Sequence, residues 1–219
     1  MHNVWKTMRR KYRQKIADYL KLYLILETDM LKIPLEEFIL QVVEGGVTAI
    51  QIRDKKLTAR QRYENGLKIK DILKDHDLMI TLNDRLDLAL SLDIDVIHVG
   101  VKDIPPYVIK DLYPDMVVGY SCNNFEDLEV AQKSKVNYIG VGPAFTTSTK
   151  EDLRDLIGPD GIKRLVHNSD IPAVAIGGIK LSNCHLLVDT GIKGIAVSSE
   201  ICTSHNPYKI SKEFRSFFP

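Results

Sequence analysis

Cysteine is scarce in this chain, and so is any imbalance of charge. The three cysteines, Cys122, Cys184 and Cys202, form no CxxC pair and no zinc-ligand spacing. An odd number of thiols cannot all pair, so a reducing, cytoplasmic compartment fits best, and each reads as a small buried hydrophobe. Lys and Arg number 30 against 29 Asp and Glu, a formal net charge of +1. That near-balance gives no global reason to expect nucleic acid or an anionic membrane as partner. No apolar run nears the roughly 18 residues of a membrane span. The basic start, MHNVWKTMRRKYRQK, lacks the apolar stretch of a signal peptide. No Pro/Gly/Ser-rich linker, charge block or low-complexity tract suggests a second domain. A P-loop, a GxGxxG, an HExxH and a Ser-His-Asp order are all missing, which removes the commonest signatures of nucleotide, zinc and acyl-transfer chemistry.

What is present is alternation. Short β-branched runs occur at 22–27, 47–53, 78–82, 95–100, 116–121, 136–142, 172–178 and 194–199. Amphipathic stretches follow them at 36–44, 58–76, 84–92, 105–112, 124–134, 160–168, 181–190 and 206–218. Nearly continuous apolar strands are those buried on both faces of a parallel sheet, and parallel strands need crossover helices. Eight such units in 219 residues predict an α/β fold, a single parallel (β/α)8 TIM barrel over 21–219, rather than an open doubly wound sheet. Residues 1–20 read as an extra N-terminal helix capping the barrel, with Ile16, Tyr19 and Leu20 as packing residues.

In such barrels the active site lies at the C-terminal strand ends. After strand 2, QIRDK puts Gln51, Arg53 and Lys55 on one side of the chain, where two cations and an amide suit a polyanion. Surface ion pairing with Asp54 or a neighbouring helix is the plainer alternative. Strand 3 ends in Asn83 and Asp84, and strand 4 in HVGVKD with Asp103. Either acidic residue could cap the next helix, but a carboxylate pair facing cations also suits Mg2+, which takes one or two carboxylates and completes its shell with water and phosphate oxygens. Strand 5 presents Ser121 and Asn123, and loop 6 presents Thr147, Thr149 and Lys150. The loop 145–156 is long and polar enough for a lid. After strand 7 come Gly177 and Gly178, and after strand 8 Ser198 and Ser199, where this fold holds phosphate. His98 reads as structural, in the interior or at the rim.

The pieces QIRDK (51–55), NDRLDLAL (83–90), IHVGVKD (97–103), GYS (119–121), YIGVGPAFTTSTK (138–150), AIGGI (175–179) and GIAVSS (194–199) stand in an order that resembles the thiamine phosphate synthase family over about residues 20–203. The resemblance implies an alkyl transferase that joins an aminopyrimidine-methyl pyrophosphate to a thiazole-ethyl phosphate, releasing pyrophosphate. It implies Asp84 and Asp103 as Mg2+ ligands, and Arg53, Lys55, Asn83 and Lys150 as pyrophosphate contacts. Gln51 and Ser121 would meet the pyrimidine; Thr147, Thr149, Gly178, Ser198 and Ser199 would meet the thiazole phosphate. Catalysis would rest on Arg53, Lys55, Ser121 and Lys150. The pattern departs at Val101, where a polar residue is common, and at Asn123, where His is common. The related thiazole tautomerases use a His at the latter position, so tautomerisation is one alternative, and a non-catalytic phosphate-binding regulatory barrel is another. Partners are expected to be small molecules, neither nucleic acid nor membrane, and self-association is left open.

Overall fold

The computed structural model describes Tyr12, residues 15–146 and residues 154–219. Eight parallel strands close into a barrel in chain order, with β1 pairing both β2 and β8. They are β1 (Leu22–Leu26), β2 (Ala49–Ile52), β3 (Met79–Asn83), β4 (Val96–Val99), β5 (Val117–Cys122), β6 (Tyr138–Val141), β7 (Ala173–Ile176) and β8 (Gly194–Val197). Each falls within two residues of its expected start, because two-sided burial leaves a strong local signature.

The pleat sorts each strand into two cores. Leu22, Leu24 and Leu26, with Ile50 and Ile52, face outward under the helices. Tyr23, Ile25, Ala49, Met79, Val96, Val117, Tyr138, Val174 and Ala196 fill the barrel interior. The N-terminal end of that interior is closed by the single helical turn α1 (Ile16–Tyr19), through its buried residues Ile16 and Tyr19, and by buried Leu20. Tyr19 also donates a 2.8 Å hydrogen bond from Oη to Asp77. The expected packing role of Ile16, Tyr19 and Leu20 is therefore observed; the rest of the 1–20 segment, save Tyr12, Lys15 and the remainder of α1, lies outside the described residues.

The outer layer comprises α2 (Leu35–Glu44), α3 (Ala59–Leu73), α4 (Leu86–Ser91), α5 (Pro106–Leu112), α6 (Phe125–Lys133), α7 (Gly158–His167), α8 (Ser199–Cys202) and α9 (Pro207–Arg215). The 181–190 stretch, read from sequence as an ordinary helix, is instead a 3-10 segment, Cys184–Thr190. It holds a kink at Asp189 and ends on Gly191 at φ 87°. Helix α3 opens with a full capping box: Thr58 Oγ1 accepts from Gln61 N while Gln61 Oε1 accepts from Thr58 N. Thr58→Ala should cost about 1 kcal/mol, which for a chain of this size lowers the melting temperature by about 2–4 °C. A calorimetric scan checks it, and no shift would contradict the role of the box.

Candidate active site

The C-terminal strand ends gather most of the expected residues at one mouth. Asp84 continues β3 by donating its backbone N–H to His98 O at 2.9 Å. It then turns at φ 61°, a left-handed conformation that Asp tolerates better than most residues. Helix α4 starts two residues later with no side-chain cap, so Asp84 is not a helix cap. Asp103 is not one either. Its Oδ2 accepts from Gly100 N at 2.7 Å, and α5 begins at Pro106 without a side-chain cap. The local reading of both acids as caps is thereby excluded.

Released from capping, the two carboxyls meet each other within hydrogen-bonding reach. Lys55 Nζ sits 3.0 Å from Asp84 Oδ2. Burial pushes Asp84 upward, but the hydrogen bonds from the Asp103 carboxyl and Lys55, with the Lys55 charge, outweigh it and hold Asp84 below the ordinary carboxylate value. Burial raises Asp103, the Gly100 N–H opposes this, and the neighbouring Asp84 charge adds to it; the net direction is upward. The two adjacent acids thus titrate together, Asp84 losing its proton before Asp103. Asp103 therefore adds stability below its unfolded value, about pH 4, and that contribution is lost as pH rises through the raised folded value. Asp103→Asn, which cannot ionise, should melt above the parent at pH 7, with the difference closing below about pH 4. A gap in melting temperature that is constant from acid to neutral pH would contradict this.

Arg53 and Lys55 both follow the end of β2 at Ile52, Lys55 in a turn that brings its ammonium to Asp84. Asp54 does not pair with them. It is buried on the other side, where it accepts from Thr28 N at 2.7 Å, Thr28 Oγ1 at 2.9 Å and Asn65 Nδ2 at 3.2 Å. The partner of Arg53 is instead Glu27, 2.9 Å away. Sequence reasoning places Glu27 at the end of the first strand run, and nothing local marks it; only the β1–β2 pairing brings it beside Arg53. Both side chains are largely buried, so the pair orients the guanidinium.

Deeper in the barrel, Gln51 is buried and donates from Nε2 to Tyr23 Oη at 2.9 Å. Ser121 Oγ is 2.9 Å from His98 Nε2. Asn83 ends β3 opposite His98. Gly178 stands at φ 64°, and a Cβ there would lie 2.5 Å from Thr146 O and 2.6 Å from Phe145 O. The glycine is thus required by the close approach of loop 6 to loop 7. Ser198 Oγ reaches Glu27 Oε1 at 3.5 Å, and Ser199 opens the short α8. Thr147, Thr149 and Lys150, with most of the 145–156 loop, lie outside the described residues. All three cysteines are buried and free. Burial pushes their thiols up, Cys202 to about 12, so they behave as inert hydrophobes.

The family model for thiamine monophosphate synthase matches residues 22–201, the whole barrel from β1 into α8. The chain belongs to that family. A thiamine-phosphate synthase of Archaeoglobus fulgidus is 36% identical over 199 residues, covering 91% of this chain and 93% of the relative. One from Pyrococcus furiosus is 38% identical over 200 residues, covering 91% and 95%. The solved thiamine phosphate pyrophosphorylase of Pyrococcus furiosus superposes with a TM-score of 0.84 at 33% identity, over 93% of this chain and 97% of that one. A 3-hexulose-6-phosphate synthase, at 16% identity and a TM-score of 0.64, shares the fold alone.

Within this thiamine monophosphate synthase barrel, Asn123 is a structural tie. Its Nδ2 donates to Gly142 O at 2.9 Å and to Asp155 O at 2.8 Å. Its backbone N–H donates to Asp127, which also pairs with Arg154. The amide is consumed in joining β6 to the returning end of loop 6. Val101 is exposed on the turn after β4. Among the described residues no helix is long and apolar enough to cross a membrane.

Proposed function

We propose that this mouth joins an aminopyrimidine-methyl pyrophosphate to a thiazole-ethyl phosphate, giving thiamine phosphate and pyrophosphate. The observation that carries the reading is the Asp84–Asp103 carboxyl pair, freed from capping and set against Lys55, with Arg53 on the neighbouring strand. Among the described residues no group of three or more His, Cys, Asp or Glu could hold a metal. A pair of carboxylates fits Mg2+ better than a metal that needs an all-protein cage, because Mg2+ completes its shell with water and substrate phosphate. When bound, Mg2+ would neutralise charge on the leaving pyrophosphate.

The residues of the chain do the rest. Arg53 and Lys55, with Asn83 and, on family resemblance, Lys150, grip the pyrophosphate and stabilise the charge that grows on it as the methylene C–O bond breaks. The bonding electron pair leaves with the pyrophosphate. The electron-rich aminopyrimidine carries the resulting cation, and the thiazole nitrogen then supplies its lone pair to the methylene carbon. No proton moves, so no general base is required. Gln51 and Ser121 hold the pyrimidine; Gly178, Ser198 and Ser199, with Thr147 and Thr149 on resemblance, hold the second substrate by its phosphate. Fixing both partners converts a bimolecular encounter into a near-unimolecular step. The Asn123 amide is tied to two carbonyls, which speaks against an acid–base role there, and hence against tautomerisation. The buried free thiols support a cytoplasmic location.

The test is a pyrophosphate-release assay with both substrates and Mg2+. Release that requires both substrates supports the reading. Turnover of a thiazole carboxylate phosphate alone would support the tautomerase instead, and binding without release a regulatory barrel.

A further inference from the structure

Lys55 lies beyond the sheet. Pairing between β1 and β2 ends where Arg53 N–H donates to Leu26 O at 2.9 Å, and Lys55 follows in the turn that leads to α3. Its side chain is 51% exposed, and a flexible four-carbon stem in solvent is not fixed by packing. The place of its ammonium, 3.0 Å from Asp84, therefore depends on how firmly the root of the side chain is held. Two residues hold that root. Buried Asp54 ties the turn to Thr28, just after β1, and to Asn65 on α3. Arg62, in the first turn of α3, donates from Nε to Leu57 O at 2.8 Å and from Nη2 to Lys55 O.

We propose that Arg62 is a positioning residue for the reaction: its guanidinium clamps the turn that carries Lys55 and so sets the Lys55 ammonium against Asp84 and the pyrophosphate. The direction of both bonds is fixed, because a guanidinium only donates and a carbonyl only accepts. The two carbonyls stand two residues apart, and the rigid fork of an arginine meets both at once. A lysine would bring one compact ammonium on a mobile stem. Arg62 is itself well rooted. Its backbone N–H donates to Thr58 O at 2.9 Å, within the helical turn that the Thr58 capping box opens. The clamp thereby refers the Lys55 turn to the frame of α3 rather than to the sheet, which has already ended.

Arg62 lines the same cleft as Arg53, Lys55, Asn83 and Arg85, so direct contact with the anion is the competing role. The geometry favours the clamp, because two of the three guanidinium nitrogens are engaged by backbone carbonyls. A guanidinium used in this way acts through Lys55. The effect on rate follows from preorganisation. A cation already in place stabilises developing charge without rearranging during the step, and a misplacement of about 1 Å can cost about a hundredfold.

This inference rests on the proposed reading of Lys55 as a pyrophosphate contact. The experiment compares the parent with Arg62→Ala, Arg62→Lys, Lys55→Ala and the double variant Arg62→Ala/Lys55→Ala. Each is measured by pyrophosphate release with Mg2+ and by amide hydrogen exchange without substrates. Arg62→Ala should lower kcat/KM for the pyrimidine pyrophosphate about tenfold or more and leave KM for the thiazole phosphate within about twofold. Arg62→Lys keeps the charge but not the fork, and should lose nearly as much. In the double variant, Arg62→Ala should add less than about twofold to the loss caused by Lys55→Ala, because residues that act as a unit are not additive. The Leu57 amide, which donates to Asp54 O at 3.2 Å, should exchange about tenfold faster in Arg62→Ala. Arg62 lies outside the core, so the variants should fold, and Arg62→Lys carries the test should Arg62→Ala not. Parental kcat/KM in Arg62→Lys would show that charge suffices and overturn the proposal. So would full additivity with Lys55→Ala, or unchanged exchange at Leu57. Absence of pyrophosphate release by the parent would instead overturn the reading of the reaction, while the exchange measurement still tests the clamp.

Discussion

Asp84→Asn and Asp103→Asn should each lower Mg2+-dependent pyrophosphate release by about a thousandfold while leaving the barrel folded. The size follows from the task. Removing a single preorganised group that stabilises developing charge costs about 10²–10³ in rate, and on the proposed reading each of these carboxylates would supply half of the protein's grip on the cation. The fold should survive for specific reasons. Asp84 sits at φ 61°, and Asn is among the few residues that tolerate that conformation; alanine there would mix backbone strain into the result. The carboxamide introduced by Asp103→Asn keeps an oxygen acceptor for the Gly100 N–H that Asp103 satisfies at 2.7 Å. Circular dichroism and the melting curve monitor the fold, and coupled detection of pyrophosphate monitors the reaction. Excess chelator should reproduce the loss in the parent. A folded variant with more than about a tenth of parental activity would contradict a role of this magnitude, as would full activity in chelator. The same Asp103→Asn change should raise the neutral-pH melting temperature. A substitution that stabilises the barrel and silences it is the pattern expected where function keeps like charges together.

The second large effect belongs to Gly119. In Gly119→Ala, the new Cβ would stand 2.2 Å from Tyr138 Cζ, 2.5 Å from Tyr138 Oη and 2.6 Å from His98 Nδ1. Neither ring can yield cheaply, because Tyr138 is fully buried and His98 is fixed at both nitrogens. Overpacking of this kind costs about 1–3 kcal/mol and more when rings are trapped. The upper end lowers the melting temperature by about 6–12 °C for a chain of this length. Gly140→Ala provides the graded comparison: its Cβ would meet His98 Cε1 at 3.3 Å, so a loss of about 1 kcal/mol or less is expected. Denaturant midpoints rank the two. Equal stability of Gly119→Ala and the parent would mean that the interior rings have room to move.

Much of this molecule is legible in one dimension. Strands buried on both faces leave β-branched runs, and their spacing with amphipathic stretches predicts eight units and hence a barrel. Barrel logic then places the mouth at the strand ends, which is how Gln51, Arg53, Lys55, Asp84, Asp103 and Ser121 can be named. Other features are not legible, and each for a stated cause. The 181–190 helix is 3-10 because apolar spacing does not distinguish the tighter turn. Asp54 beside Arg53 offers itself as the plainer alternative partner, yet it is buried against Thr28 and Asn65, and Glu27 takes that place. Whether Asp84 and Asp103 cap helices or face each other is undecided in the sequence, since both outcomes begin with the same residue after a strand. Their meeting depends on the β3–β4 pairing and on one left-handed backbone angle.

By itself, then, the sequence determined the periodic features: the strand positions and, through their number and spacing, the barrel. Those depend on side-chain alternation over a few residues. The tertiary structure alone decided the pairings: Glu27 with Arg53, Asp84 with Asp103, and Tyr23 with Tyr138. Tyr23 and Tyr138, whose hydroxyls meet at 2.9 Å, are 115 residues apart. No local pattern encodes such a contact, because it exists only once the strands have closed on one another and the glycines at 119 and 140 have left room for the rings.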